Sequence, residues 1–353
     1  MGTGTVEERL RSEAGPRPFR PWLRPGAEVI EVHEDRLHIA FANHTVTFNS
    51  PVTVRCVKAL LARLGEGLDV THLVSAAAAE TEVGEGFARY VLEMLAGAHC
   101  LYWSDEDAAD GPLDAYWASV GESPGRVASL LGTGRPLVLT TSRSASILEE
   151  ALTAAGIPGR ITAFAPGDAI ESIAAAAEAM AETPSLVLAW DLPYRSVAAC
   201  TVNDLAMTGK AVLFGACEGG VARLGPYVIP GSTACLACLN SRFLSNSAPE
   251  EMDLATACRA RAGRRLGEPA PTHPVFLSSM AGLFVLEAGD ILMRRPPRTL
   301  GGLIEYGLAD GSCCRRTILK APRCAACRAA RPPRFAWNAG FLSPDVKDAA
   351  HDA

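Results

Sequence analysis

Four of the eleven cysteines fall into two CxxC pairs, Cys235-Leu-Ala-Cys238 and Cys324-Ala-Ala-Cys327. Each pair offers two thiolates at the bite a tetrahedral ion accepts, and two pairs supply the four soft ligands of a closed structural Zn2+ site. Residues 239 to 323 lie between them, far more than the loop of a zinc finger, so the ion would staple distant segments. A thioredoxin-like redox centre needs one CxxC at a strand-to-helix junction, and the second pair argues against it. Cys56, Cys100, Cys200, Cys217 and Cys258 stand alone and read as small buried hydrophobes, while Cys313 and Cys314 are assigned no role. His33, His38, His44, His72, His99, His273 and His351 are not at ligand spacing to one another, and no Ser/His/Asp arrangement can be placed.

The elements that must position these cysteines belong to a chain of 353 residues, which suits two domains. Apolar residues at 48% and charged ones at 20% are the composition of a folded soluble protein. A net charge of -6, with no long Lys/Arg run, gives no electrostatic footprint for nucleic acid or an anionic membrane. The start, Met1 to Leu10, lacks the basic and apolar stretches of a secretory signal, so a cytoplasmic setting is expected, where clustered cysteines hold metal and do not pair.

Residues 1–25, with Pro16, Pro18 and Pro21, read as a flexible or extended arm, structure beginning near Ala27. In a domain over 26–104, Glu28 to Val32, Arg36 to Phe41 and His44 to Phe48 read as three strands of a small meander. Helical spacing follows over Val52 to Leu64, Val70 to Ala79 and Gly86 to Ala98. Residues 105–132 have the composition of a connector, and 346–353 form a tail. Over 133–345 strands Pro136 to Thr140, Arg160 to Phe164, Ser185 to Ala189 and Ala211 to Gly215 alternate with helices Ser144 to Ala155, Ala169 to Ala181 and Ala198 to Thr208, which implies a parallel sheet covered on both faces. Asp168 and Glu171 stand at capping-box spacing for the second helix.

The runs Ser185 to Asp191, Asn203 to Lys210 and Gly225-Pro-Tyr-Val-Ile-Pro-Gly231-Ser-Thr-Ala-Cys235-Leu-Ala-Cys238-Leu239 resemble the ubiquitin-activating-enzyme superfamily of ThiF and MoeB. The Pro-Gly-x-x-x-Cys-x-x-Cys-Leu core, with Arg242 and a second CxxC, is similar to the ocin-ThiF-like proteins that accompany YcaO-type cyclodehydratases in making thiazole/oxazole-modified peptides and thiopeptides. The resemblance spans about 113 to 345. It implies a Rossmann-type α/β domain, a preceding peptide-recognition element, a precursor leader peptide and a YcaO-type enzyme as partners, and a possible homodimer.

An active ThiF-like enzyme needs glycines after its first strand, where this chain has Thr140-Thr-Ser-Arg-Ser-Ala145. Its ribose acid is replaced by Phe164-Ala-Pro-Gly167, with Asp168 arriving late. Its Asp-x-x-Asp-Asn run reads Asp191-Leu-Pro-Tyr194-Arg195, and Asp114 to Ala118 lacks the arginine lent by a neighbouring subunit. No catalytic residue is assigned and ATP is not expected to bind. The alternative is an active adenylating enzyme acting on a peptide or carrier-protein carboxylate.

Three strands and three helices also make a winged helix-turn-helix. Residues 27 to 103 hold five basic against ten acidic residues, which repels phosphate and disfavours DNA. A winged-helix-type domain that takes a peptide by strand addition fits better. His44 to Phe48 is the expected edge, offering Thr45, Val46, Thr47 and Phe48, with Phe87, Tyr90, Val91 and Met94 as the groove wall. The plain alternative for each apolar residue is the domain's own core.

Overall fold

A computed structural model describes residues 20–42, 44–104, 111–165, 168, 172–173, 175, 186–245, 270–322, 324 and 326–327. The chain divides into two compact units, Met1–Ser129 and Leu130–Ala353.

In the first unit β1 (Arg20–Leu23) pairs antiparallel with β5 (Leu101–Ser104), Arg20 opposite Ser104. The strand begins ahead of the Ala27 expected from sequence. Pro21 masks it there, yet a two-stranded ribbon is all edge and tolerates proline. The meander forms as read: β2 (Glu28–His33), β3 (Arg36–Phe41) and β4 (His44–Phe48), in the order β2-β3-β4. Leu37 and Ile39 turn inward onto α1 (Pro51–Leu64), α2 (Val70–Thr81) and α3 (Glu85–Gly97), whose Val57, Leu60, Leu73, Val91 and Leu95 complete the core. Pro51 opens α1, its missing N–H costing nothing in a first turn, and the Asp69 side chain caps α2 by accepting the His72 N–H at 2.9 Å.

The stretch read as a connector carries α4 (Pro112–Ser119) and α5 (Pro124–Thr133). Its Gly-Pro and Pro-Gly pairs punctuate helix starts and do not exclude helices. The acidic run at 105–107 lies outside the described residues, as do Cys258, His351, Glu171, residues 1–19, the tail 346–353 and most of the expected helix Ala169 to Ala181.

The second unit holds a seven-stranded sheet in the order β12-β11-β10-β9-β8-β6-β7. β6 (Leu137–Thr141), β7 (Arg160–Phe164), β8 (Leu186–Trp190) and β9 (Ala211–Glu218) run parallel, joined by α6 (Ala145–Ala154) and α7 (Val197–Ala206) among the described helices. β6 and β8 are buried along their whole length, the mark of strands covered on both faces. The expected all-parallel sheet is extended on one side by antiparallel β10 (Val221–Val228), β11 (Gly302–Gly307) and β12 (Cys313–Thr317). β10 escapes notice because Arg223, Gly225 and Pro226 interrupt its apolar pattern.

Two further helices are α8 (Leu236–Ser245) and α9 (Pro274–Leu292). α9 has the length and apolarity to cross a membrane, but 56% of its apolar window is buried, against α6 and β9. It packs through Phe284, whose ring lies 4.8 Å from that of Trp190. Gly215 makes this possible, since a Cβ there would stand 2.7 Å from both rings.

Candidate functional site

Cys235 immediately precedes α8, Cys238 sits in its first turn, and Cys324 and Cys327 follow β12. All four are buried, and their sulfurs lie within 4.8 Å of one another. Cys235 to Cys238 is 3.7 Å, Cys235 to Cys324 3.6 Å and Cys238 to Cys327 3.6 Å. A regular tetrahedron with metal–sulfur bonds of ~2.3 Å has edges of about 3.8 Å. The cluster therefore fits a tetrahedral ion and is far too open for disulfides of ~2.05 Å. Burial pushes the Cys235 thiol well up and that of Cys327 up to about 11, whereas that of Cys324, against the rise its burial would cause, is held below the ordinary value by hydrogen bonds, the first from the Cys327 backbone N–H. Asn203 on α7 accepts the Leu236 N–H at 2.8 Å, and the Ala321 N–H points at the Cys238 sulfur, 3.3 Å away, so both halves are braced. Of the other described cysteines, Cys56, Cys100 and Cys217 are buried as read, Cys200 is half-buried, and Cys313 is exposed beside half-buried Cys314.

In an open α/β sheet the ligand crevice lies beyond the carboxyl ends of the strands where their order reverses. Here that point is between β6 and β8. Asp191, the first residue after β8, is 1% exposed and adopts a left-handed backbone, φ +59°. Its carboxylate accepts the Thr141 hydroxyl at 2.6 Å, the Ser144 hydroxyl at 2.7 Å and both Nε and Nη2 of Arg143 at 2.7 Å. The turn read only as lacking glycine thus folds back onto Asp191. Arg143 also donates to the Ala270 carbonyl at 2.7 Å. Sequence reading missed Arg143; the signal was a long cation in a tight strand-to-helix turn that shares its sheet end with Asp191. Tyr194 is 1% exposed and turns away from this network, its hydroxyl donating to the carbonyls of Gly225 and Arg223. Asp168 bonds the Ala165 N–H at 2.7 Å, a local turn contact.

The described residues place no further strand beside β4 in its sheet. Thr45 and Thr47 are exposed, Val46 is half-buried and Phe48 is in the core. Phe41 lies opposite His44, and a hairpin pair separated by two residues is by geometry a hydrogen-bonded one. By alternation Val46 spends its N–H and C=O on Ile39, and the outward main-chain groups belong to Thr45 and Thr47. On α3, Tyr90 is 56% exposed and its ring lies 6.4 Å from that of Phe87, while Phe87 and Met94 are half-buried and Val91 is fully buried. Core packing accounts for Val91 and Phe48. The second edge, β2, is exposed at every position.

No protein-family model matches the sequence, and no curated protein matches it. Solved structures do. A heterocyclase in complex with substrate and cofactor aligns over 88% of this chain and 39% of its own, at 18% identity and TM-score 0.65. The heterocyclase TruD aligns over 88% and 43%, at 18% identity and TM-score 0.64. E. coli MccB, also solved with ATP, aligns over 89% and 99%, at 12% identity and TM-score 0.62. The chain spans about two fifths of the heterocyclases' length and nearly all of MccB's. It shares the fold of these proteins.

Proposed function

We propose that this chain is a partner protein in the modification of a ribosomally made peptide: it binds the leader of the precursor and presents the core to a separate YcaO-type cyclodehydratase for thiazoline or oxazoline formation. The observation that carries this reading is that β4 is an edge strand among the described residues, and that its register on β3 turns the main-chain groups of Thr45 and Thr47 outward. The fold of the first unit is read as winged-helix in type, with Tyr90, Phe87 and Met94 taking the leader's alternate apolar side chains. Capture of the leader raises the effective concentration of the core at the partner's active site with no chemistry in this chain. The four cysteines would hold Zn2+, which supplies a cross-link between α8 and the segment after β12 and takes no part in a reaction.

The rival reading is an adenylating enzyme, favoured by the likeness to MccB, which has been solved with ATP. Against it stands the crevice itself, where Thr141, Arg143 and Ser144 already saturate Asp191. The deciding experiment is fluorescence anisotropy of labelled candidate leaders, drawn from any short peptide gene found next to the gene for this chain. Saturable binding to the full chain, retained by residues 20–104 alone, supports leader capture; binding that survives deletion of residues 1–104 places the leader elsewhere.

A further inference from the structure

The three-stranded sheet of the first unit has two edges among the described residues, β4 and β2, and a leader laid on β4 leaves β2 open. All six residues of β2 are exposed. The register fixes which of its main-chain groups face out. With Phe41 and His44 a hydrogen-bonded pair, His38 and Ala40 spend their N–H and C=O on β2. They lie opposite Ile30 and Glu28, so the outward groups of β2 belong to Val29 and Glu31. The regular edge ends at Val32, where the register shifts between Glu31 and His33.

That edge reads acid, apolar, apolar, acid: Glu28, Val29, Ile30, Glu31. Glu28 and Ile30 share one face, Val29 and Glu31 the other. Bulges and charges are the means by which sheets refuse stray strands. Val29 and Ile30 work the other way, because they are 43% and 40% exposed and a strand laid over them takes apolar surface from water on both faces. The charges then select the strand, since opposite charges attract across an antiparallel pair and like charges repel. A second copy of β2 holds no Lys or Arg to offer, and its carboxylates would meet apolar residues or each other. The Lys58 ammonium holds the Glu31 carboxylate beside the edge at 2.8 Å. Ten acidic against five basic residues over 27 to 103 draw a cationic segment in from a distance.

We propose that β2 docks an extended segment of a partner protein with the pattern basic, apolar, apolar, basic, added antiparallel as a fourth strand. Its main chain bonds the outward groups of Val29 and Glu31, its cations stand opposite Glu28 and Glu31, and its apolar pair covers Val29 and Ile30. This edge is separate from β4, so the inference stands whether or not β4 takes a leader.

The test is fluorescence anisotropy of the full chain with a labelled peptide, Thr-Lys-Ile-Val-Lys-Thr, and its acidic twin, Thr-Glu-Ile-Val-Glu-Thr. The basic peptide should bind about tenfold tighter than the twin, by a margin that shrinks with added salt. Val29→Pro deletes an outward N–H and should weaken the basic peptide about fivefold, with circular dichroism to show the domain folded, whereas Thr47→Pro on β4 should leave it unchanged. Glu28→Lys combined with Glu31→Lys should reverse the preference in favour of the acidic twin, which an unfolded domain cannot mimic. No saturable binding of the basic peptide, equal affinity for its twin, a preference that the double variant keeps, or sensitivity to Thr47→Pro in place of Val29→Pro would each overturn the proposal.

Discussion

Arg143 grips Asp191 through two parallel bonds, Nε to Oδ2 and Nη2 to Oδ1, each 2.7 Å long. The carboxylate is 1% exposed and the arginine side chain 28%. Two loops from neighbouring strand ends are thereby closed upon each other. Arg143→Ala should cost about 3 kcal/mol, the lower part of the range for stranding one partner of a buried pair, because the arginine is partly wet. Urea denaturation measures it, and the Arg143→Ala/Asp191→Ala double variant should lose less than the two single losses added. A single-variant loss within about 0.5 kcal/mol would mean the pair is idle.

The same closure bears on nucleotide. Calorimetry with ATP and magnesium should register no binding, and an assay for pyrophosphate should stay flat with any peptide offered. Micromolar affinity with pyrophosphate release restores the adenylating enzyme.

Metal content is expected at one equivalent of zinc per chain. Cys235→Ser and Cys324→Ser should each lose the metal and lower the melting temperature by several degrees or more, since binding at four-thiolate sites is worth roughly 10 to 16 kcal/mol in model peptides. Protein purified without stoichiometric metal, or variants that melt like the parent, would remove the staple.

For leader capture the informative substitution is Thr47→Pro, which deletes an outward N–H while leaving the ladder to β3 intact. It should weaken leader binding more than Thr47→Ala, whereas Val29→Pro, which likewise removes an outward N–H but on the opposite edge, should leave affinity unchanged. If the β2 variant is the damaging one, the leader pairs with β2 and not with β4.

Asp69 provides a pH test. Its carboxyl is held below the ordinary carboxylate value by the His72 backbone N–H and then by the His72 side chain. Its contribution is therefore present above the unfolded pKa and fades as pH falls through the lower folded one. Asp69→Ala should cost roughly 0.5 to 1 kcal/mol near neutrality, and the gap from the parent should close in acid, followed by thermal melts.

The parallel half of the second unit was legible because β6, β8 and β9 are apolar runs set between helical spacings, and the cysteine cluster because CxxC spacing is itself geometry. β10 to β12 were not, since a strand carrying Arg223, Gly225 and Pro226 shows no period, and Arg315 and Arg316 hide β12. α9 went unread because a helix apolar on most sides has no amphipathic signature to find. Arg143 was passed over for another reason: the absence of glycine in its turn is visible in one segment, whereas its bond to Asp191 spans 48 positions and exists only once the sheet has formed. Among the edge residues the alternation of Thr45 and Thr47 with Val46 was plain, but which of them carry the outward main-chain groups depends on the pairing of Phe41 with His44.

The separation of the two cysteine pairs sets a clock. Synthesis proceeds at ~5 to 20 residues per second, so the ribosome adds Cys324 roughly 4 to 17 s after Cys238. For that interval the nascent chain carries half a site, two thiols able to meet an oxidant or a wrong ion with no second pair to compete. For an ion held by all four thiols, loading would be a late event, and a cell short of that metal or under oxidative stress would lose this protein during its making before it lost any copy already folded.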